Sequence, residues 1–423
     1  MPKLIRDFSG ASVGDFHDDG NEIYACTFKE PLVKVDGIVH DYGLHFCFGV
    51  SNDSRKGVSA DVYVNADKSC GDLIHDANIY MAKNPGEEFA YGIVGKTDRK
   101  KSYSFSLSLG ANETVYIANS YVRQYERLSV TFEELACQGH GERIIYGRSV
   151  EGRELSAYRY GSGIGQNDKP EVLIVSGWHP PEGDTFGTEG IAEMLTDDGE
   201  REELLKSVNI TIIPIGNPDG FVHGFGGCNV NLRNVYWDFD INDRDEIPET
   251  YFAWKLMEKI KPDVYFDFHG YTFQGGSKFL SSYIKPLLFY SGRRRGFAEN
   301  LNRRIIKRCG GKCIKGYSTF TPSTPGCRLT SKFDTITYAK FHFHIDDGIP
   351  ALKELGRDLI KVTVDEIRHS GTVFSRGYDD GVNLSLIRSF FHRVCCASYI
   401  YFNRYCRITA GKLIKKMLVS KKS

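Results

Sequence analysis

The first third of the chain shows the hydrophobic and polar pattern that is typical of β-strands. Segments rich in β-branched and aromatic residues, with partial alternation of apolar and polar positions, include LHFCFGVS, SADVYVNAD, KSYSFSLSLG and ETVYIANSYV. Glycine, asparagine, aspartate and lysine separate these segments, as in antiparallel sheets. One segment, CGDLIHDANIYMAK, has a helix-like pattern instead. We therefore expect an all-β domain over residues 1–130, most simply a β-sandwich.

From about residue 140 the pattern changes to alternating strands and helices. ERIIYGRSVEGRELSAYRYG predicts a hairpin, and NPDG after NITIIPIG predicts a turn. The predicted strands that follow are EVLIVSG, NITIIPIG, DVYFDFHG and TITYAKFHFHID, and the predicted helices are DTFGTEGIAEMLT, ETYFAWKLMEKIK, RRRGFAENLNRRIIKRC and ALKELGRDLIKVTVDEI. This alternation predicts an α/β domain over residues 131–371, in which helices flank a mixed, mostly parallel sheet.

Residues 372–423 form a basic and aromatic C-terminal extension with few acidic residues. One interpretation is a helical extension that packs on the body of the protein and ends in a solvated, lysine-rich segment. The other is an interfacial helix that makes a peripheral contact with a membrane or with a partner protein.

Composition narrows the class of protein. The chain has 423 residues, 41% of them hydrophobic, and a net charge of zero, so we expect no electrostatic binding of nucleic acid. The N-terminus lacks the long apolar segment of a signal peptide. The eleven cysteines are odd in number and scattered, unlike a secreted disulfide framework. We therefore expect a cytoplasmic protein.

Reactive side chains follow three of the predicted strands. His179 and Glu182 come after EVLIVSGW, His269 ends DVYFDFH, and His344 and Asp346 come at the end of YAKFHFHID. Ligands of open α/β sheets bind beyond the carboxyl ends of the strands. Two imidazoles and a carboxylate suit zinc, with a fourth position open for water.

Each of these motifs is weak evidence when taken alone. The H-x-x-E pattern often arises by chance, and a histidine in a loop or core is more often structural than a ligand. Their shared position just past strand ends favours a metal site. In DVYFDFHG, Asp267 and His269 lie on the same strand face, so Asp267 is a candidate to support the site by a hydrogen bond.

The order of the motifs resembles that of a known family. HPPE at residues 179–182, then IPIGNPDG, NVNLRN and DFHG follow the order and approximate spacing of zinc carboxypeptidases of the carboxypeptidase A type. The match is nearest to the cytosolic carboxypeptidase branch, which joins an N-terminal β-sandwich to the peptidase domain. The resemblance covers about residues 40–370. It implies that His179, Glu182 and His269 bind one zinc ion per chain, which activates water and polarises the scissile carbonyl.

The chain departs from the family at several substrate-binding positions. Arg233 and Asn234 occupy, in swapped order, the places of the asparagine and arginine that hold the substrate's terminal carboxylate. Gly227 stands where the family has a carbonyl-polarising arginine, so this position supplies no cation. Tyr317 loosely matches a tyrosine of the family's mobile loop.

The general base is also changed, because His344 stands where the family has a glutamate on its last core strand. We expect His342, His344 and Asp346 to share one strand face. Three interpretations stay open: His344 acts as the base near neutral pH, Asp346 does so after a register shift of two residues, or the site is slow or inactive.

The first functional interpretation is therefore a zinc hydrolase that resembles metallocarboxypeptidases. It would cleave an amide bond near the free C-terminal carboxylate of a peptide or another carboxylate-bearing substrate. One alternative is a zinc de-N-acylase or esterase that acts on a non-peptide substrate. Another is a catalytically inactive, peptidase-like binding protein.

Overall fold

The structure is a computed structural model that describes residues 1–35, 38–66, 77–97, 102–166, 168–271, 279–282, 292–309, 312–314, 324–333 and 335–370. Tyr317 and the extension 372–423, for which the sequence makes predictions, lie outside these ranges. Among the described residues, no helix combines the length and the apolar character that a membrane span requires.

The N-terminal region is built from strands. They are β1 (Pro2–Ile5), β2 (Phe16–Asp19), β3 (Glu22–Cys26), β4 (Val33–Val35), β5 (Ile38–His40), β6 (Cys47–Asn52), β7 (Val58–Asn65), β8 (Ala77–Ala82), β9 (Ala90–Thr97), β10 (Ser102–Leu109) and β11 (Glu113–Ala118). In the described residues, β4 and β5 form a separate ribbon and the others form one sheet in the order β1-β6-β11-β8-β9-β10-β7-β3-β2. All of its pairings are antiparallel except β3 with β7.

This sheet folds over into two layers. Strand β9 pairs with β8 on one side and with β10 on the other, so it joins the layers. Side chains from both layers meet in one hydrophobic cluster, with Phe46 and Ile117 from one layer and Val62 and Leu107 from the other. The arrangement agrees with the predicted sandwich.

The helix predicted from CGDLIHDANIYMAK is wrong at Ala77–Ala82, which forms strand β8. Ile79 in this strand is completely buried in the cluster between the layers. Pairing with β9 and β11 on either side supplies backbone hydrogen bonds that the local pattern does not reveal.

Strands and helices alternate in the second region. They are α1 (Tyr125–Gln138), β12 (Glu142–Arg148), β13 (Glu154–Tyr160), β14 (Glu171–Val175), α2 (Thr185–Met194), α3 (Asp198–Leu205), β15 (Asn209–Ile213), α4 (Pro218–His223), α5 (Pro248–Ile260), β16 (Val264–Tyr271), β17 (Phe279–Ser282), α6 (Gly292–Cys309), β18 (Lys312–Ile314), α7 (Pro325–Phe333), β19 (Ile336–His344) and α8 (Ile349–Ser370). The described strands form a sheet in the order β12-β13-β15-β14-β16-β19-β17-β18. Its centre, β15-β14-β16-β19, is parallel, which confirms the predicted mixed α/β fold.

Both faces of this sheet are covered. Every residue of β14 and β15 is buried, as expected for strands with helices on both sides. In β14, Val172 and Ile174 face a cluster that includes residues of α2 and α8, whereas Leu173 and Val175 face a cluster that includes residues of α5.

The NPDG segment after β15 forms the start of helix α4 and not an isolated turn. The Asn217 side chain caps this helix, since its Oδ1 accepts a hydrogen bond of 3.0 Å from the Gly220 N–H. The same amide donates through Nδ2 to the Cys228 carbonyl at 2.8 Å. One side chain thus fixes both the helix and the loop that follows it.

A buried ion pair joins strands β13 and β14. The Arg159 guanidinium in β13 donates to both carboxylate oxygens of Glu171 in β14, each at 2.8 Å. Both side chains are excluded from solvent. Asn209 and Thr211 of β15 complete the network with hydrogen bonds of 3.0 Å each. This network lies across β15, which separates β13 from β14 in the sheet.

Candidate metal centre

His179 and Glu182 lie just past the carboxyl end of β14. His179 precedes a 3-10 turn, Pro180–Glu182, whose two prolines restrict the backbone between the two side chains. The His179 Nδ1 atom is 2.8 Å from Glu182 Oε1. The turn therefore points both side chains at one place.

His269 reaches the same place from β16, the parallel neighbour of β14. Its Nδ1 atom is 2.8 Å from Glu182 Oε2, so the carboxylate lies between the two imidazoles. One ligand atom from each of His179, Glu182 and His269 falls within 4.8 Å of the others. The structure thus brings together all three residues that the sequence predicted as ligands.

Gly270 explains why a glycine follows this histidine. An ideal Cβ on Gly270 would lie 1.6 Å from the Glu182 carbonyl oxygen, so no side chain fits. The Gly270 N–H also donates to Glu182 Oε2 at 3.0 Å. The absence of a side chain lets the backbone of β16 approach Glu182 and hold its carboxylate.

Replacing Gly270 with alanine is expected to weaken zinc binding by about 10- to 100-fold, because Glu182 must move away from both imidazoles. Gly296 in α6 is a matched control, since a Cβ there meets nothing within 4 Å. Gly296→Ala should leave the zinc affinity unchanged and raise stability by up to about 1 kcal/mol. Both are measured by competition with a chelating dye and by thermal unfolding. Equal zinc affinity in the two variants would contradict this account of Gly270.

The charges of the cluster favour a cation. Burial opposes ionisation of Glu182, but the two imidazoles outweigh it and hold its pKa well below the usual range. Burial lowers the pKa of His269, whereas the charges of Glu182 and Asp267 raise it to about 10. The cluster thus attracts positive charge between its donor atoms. A divalent cation would supply this charge with both imidazoles neutral, so the donor set fits zinc.

Asp267 lies beside His269, on the strand face that the alternation of side chains in β16 predicts. Its Oδ1 atom is 3.6 Å from His269 Nε2 and accepts a hydrogen bond of 3.0 Å from Trp178 Nε1. Tyr236 packs edge-on against the His269 ring, with the ring centroids 4.6 Å apart. These contacts limit the orientations of the imidazole.

Asp184, which the sequence pattern did not single out, accepts a hydrogen bond that closes the loop carrying His179. Asp184 is completely buried, and its Oδ2 accepts a hydrogen bond of 2.9 Å from the Gly177 N–H. Burial, the larger cause, and the charge of Glu182, the smaller one, together raise the pKa of Asp184 to about 8. An acidic residue immediately before helix α2 was the available signal.

The two predicted carboxylate-binding residues separate in the structure. Arg233 is about one third exposed, and its guanidinium lies 3.5 Å from Asp238 and 3.7 Å from Asp243. Asn234 is buried, and its Oδ1 accepts a hydrogen bond of 3.0 Å from the Trp237 N–H. Adjacent residues thus have different surroundings, as the swapped order implies.

The candidates for the general base lie at the end of β19. Its backbone pairs with that of β16, with His342 opposite His269 and His344 opposite Tyr271. The strand ends at His344, and Asp346 falls in the following 3-10 turn, Ile345–Asp347. The expectation that Asp346 continues the strand face is therefore wrong, because the chain turns first. The side chains of His344 and Asp346 lie outside the described part of the structure.

Comparisons with known proteins agree with these motifs. The zinc carboxypeptidase family matches residues 138–243, which include His179 and Glu182. Cytosolic carboxypeptidase 2 of Danio rerio is 25% identical over 283 residues, 56% of this chain and 39% of that protein. A metallocarboxypeptidase A-like protein of Trichophyton verrucosum is 30% identical over 167 residues, 34% of this chain and 39% of that protein. The chain thus spans about two fifths of each of these relatives.

Solved structures share the fold of the chain. A metallo-carboxypeptidase from Burkholderia cenocepacia superposes with a TM-score of 0.72 over 87% of this chain and 100% of that chain. Their sequences are 14% identical, so this likeness concerns the fold alone. The match at residues 138–243 and the shared fold thus agree with the resemblance to zinc carboxypeptidases that the motifs indicate.

Proposed function

We propose that the protein binds one zinc ion through His179, Glu182 and His269 and hydrolyses an amide bond near a free C-terminal carboxylate. The observation that carries this proposal is the convergence of two imidazole Nδ1 atoms on one carboxylate at the carboxyl ends of adjacent parallel strands. Zinc held there would supply Lewis acidity toward the carbonyl and lower the pKa of water. The name of the Danio rerio relative supports a cytoplasmic location.

The remaining roles follow from position. Asp267 would fix the ring orientation of His269. His344 or Asp346, from the strand next to β16, would accept a proton from the attacking water. Arg233 and Asn234, with Tyr317, would engage the carboxylate or another polar group of the substrate. We also propose the division into residues 1–130, 131–371 and 372–423, with helix α1 at the first junction.

A second candidate is hydrolysis of an N-acyl group or an ester on a substrate other than a peptide. The surroundings of Arg233 favour it, because two carboxylates already neutralise this guanidinium. A substrate carboxylate would have to displace Asp238 or Asp243. A substrate without a carboxylate would have no such competitor.

The two candidates differ in a direct assay of the full chain. We expect about one zinc per chain by elemental analysis after dialysis. We also expect turnover of dipeptides and longer peptides that have a free C-terminal carboxylate. Peptides with an amidated C-terminus should be silent if the first proposal holds. Turnover of N-acyl amines or acyl esters without a carboxylate would support the second candidate. A chain that binds zinc and turns over neither substrate class would favour a binding protein, and a chain without zinc would overturn both proposals.

A further inference from the structure

Glu30, in the N-terminal region, binds the loop that lies beside the metal centre. This carboxylate is 4% exposed and accepts hydrogen bonds from three successive backbone N–H groups of the loop after α4. The Gly226 N–H donates to Oε1, the Gly227 N–H lies 3.0 Å from Oε2, and the Cys228 N–H lies 3.1 Å from Oε2. A buried carboxylate that accepts three N–H bonds holds these groups firmly.

Tyr42 occupies the space between this loop and His179. Its ring centroid is 4.6 Å from that of His179, and its hydroxyl accepts a hydrogen bond of 2.6 Å from Trp237 Nε1. Contacts with the His179 ring and with Trp237 therefore limit the movement of the Tyr42 ring. The Tyr42 ring packs directly against the His179 imidazole.

The two glycines of the loop are required by this close approach. A Cβ on Gly226 would lie 2.8 Å from the Tyr42 carbonyl oxygen and 3.1 Å from Glu30 Oε1. A Cβ on Gly227 would lie 2.6 Å from Asn234 Nδ2, 3.1 Å from His179 Cδ2 and 3.2 Å from Tyr42 Cδ1. Asn234, His179 and Tyr42 thus together crowd the place where a side chain at position 227 would begin. This packing accounts for the glycine at position 227.

We propose that Tyr42 and Glu30 are positioning residues of the metal centre, so that the N-terminal region forms the wall behind His179. The inference rests on the proposed zinc site. Tyr42 restricts the rotation of the His179 ring directly, and Glu30 does so indirectly by holding the loop that packs beside it. Such support around a ligand is typically worth 10- to 100-fold in metal affinity.

Phe28 provides a matched control for loss of contact between the two regions. Its ring stacks on that of Phe225, with centroids 5.1 Å apart, at the same interface. Phe28→Leu and Tyr42→Leu each remove one aromatic ring from the interface, but of these two rings only that of Tyr42 contacts His179 in the contacts described above. A general loosening of the interface would affect zinc binding equally in both variants.

The experiment measures zinc affinity of the full chain by competition with a chelating dye, and the visible spectrum of the cobalt(II)-substituted protein, which reports ligand geometry. We expect Tyr42→Leu to weaken zinc binding by about 10- to 100-fold and to alter the cobalt spectrum. Phe28→Leu should change neither. Tyr42→Phe, which keeps the ring, should fall between Tyr42→Leu and the parent protein.

Glu30→Gln keeps the size of the side chain and should weaken zinc binding in the same direction, so it tests the proposal if Tyr42→Leu fails to fold. Zinc affinity and cobalt spectra of Tyr42→Leu and Glu30→Gln that match those of Phe28→Leu would overturn the inference while leaving the zinc site intact. Failure of the parent protein to bind zinc would overturn both the inference and the proposed function.

Discussion

His269→Ala is expected to abolish stoichiometric zinc binding and to lower the turnover of any substrate that the proposed assay identifies by about a thousandfold or more. The substitution removes one of three donors and leaves the Glu182 carboxylate with a single imidazole at 2.8 Å. A bound metal supplies several kcal/mol of transition-state stabilisation, and each 1.4 kcal/mol is a factor of ten in rate. Elemental analysis after dialysis and steady-state kinetics measure the two effects.

His369→Ala is the control, because His369 is an exposed histidine of α8 that bonds only within its own helix among the contacts described, at 2.6 Å from the Asp365 carbonyl. It should keep both the zinc and the activity of the parent. Thermal unfolding with excess chelator shows whether His269→Ala is folded without metal. Stoichiometric zinc in folded His269→Ala would mean that the ion binds elsewhere.

Arg159→Met is expected to destabilise the protein by about 3–5 kcal/mol, because it leaves the Glu171 carboxylate buried without its partner. Glu171 is completely buried, and the Asn209 amide that also donates to it carries no charge to replace that of Arg159. Urea unfolding with excess chelator measures this loss without a contribution from zinc. The double variant Arg159→Met/Glu171→Leu should recover part of the loss, since no charge is left buried.

The matched control is the exposed pair of Lys206 and Glu203, which are 2.8 Å apart with side chains 69% and 56% exposed. Lys206→Met should cost less than about 1 kcal/mol, because solvent screens this pair. If Arg159→Met costs no more than Lys206→Met, the buried network does not stabilise the sheet. A double variant that is less stable to urea than either single variant would show that Arg159 and Glu171 act mainly through packing.

The parts of the protein that the sequence reveals are those set by local pattern. The strands β14 and β16 appear as short apolar runs, and each ends in polar residues at the edge where ligands bind. The sequence could therefore single out His179, Glu182 and His269 as candidate ligands before their distances were known. The order of the motifs, which resembles that of zinc carboxypeptidases, then favoured a zinc site over a structural role for these residues.

The parts that the sequence conceals depend on contacts between distant segments. Glu30 and Tyr42 belong to a region where the sequence shows no catalytic cluster, and nothing near them predicts contact with residues 226–237. Strand β8 follows the same rule, because its two partners outweigh the local helix pattern.

The contact between Glu30 and Gly226 also constrains the order in which the protein can be assembled. These residues are 196 positions apart, and His269 comes later still. During synthesis, Glu30 and Tyr42 are therefore present well before Gly226 and His269 have been made. Contacts of such long range close late and slowly in folding. Glu30 and Tyr42, which flank the ribbon of β4 and β5, are therefore synthesised long before the loop and the His179 ring that they contact.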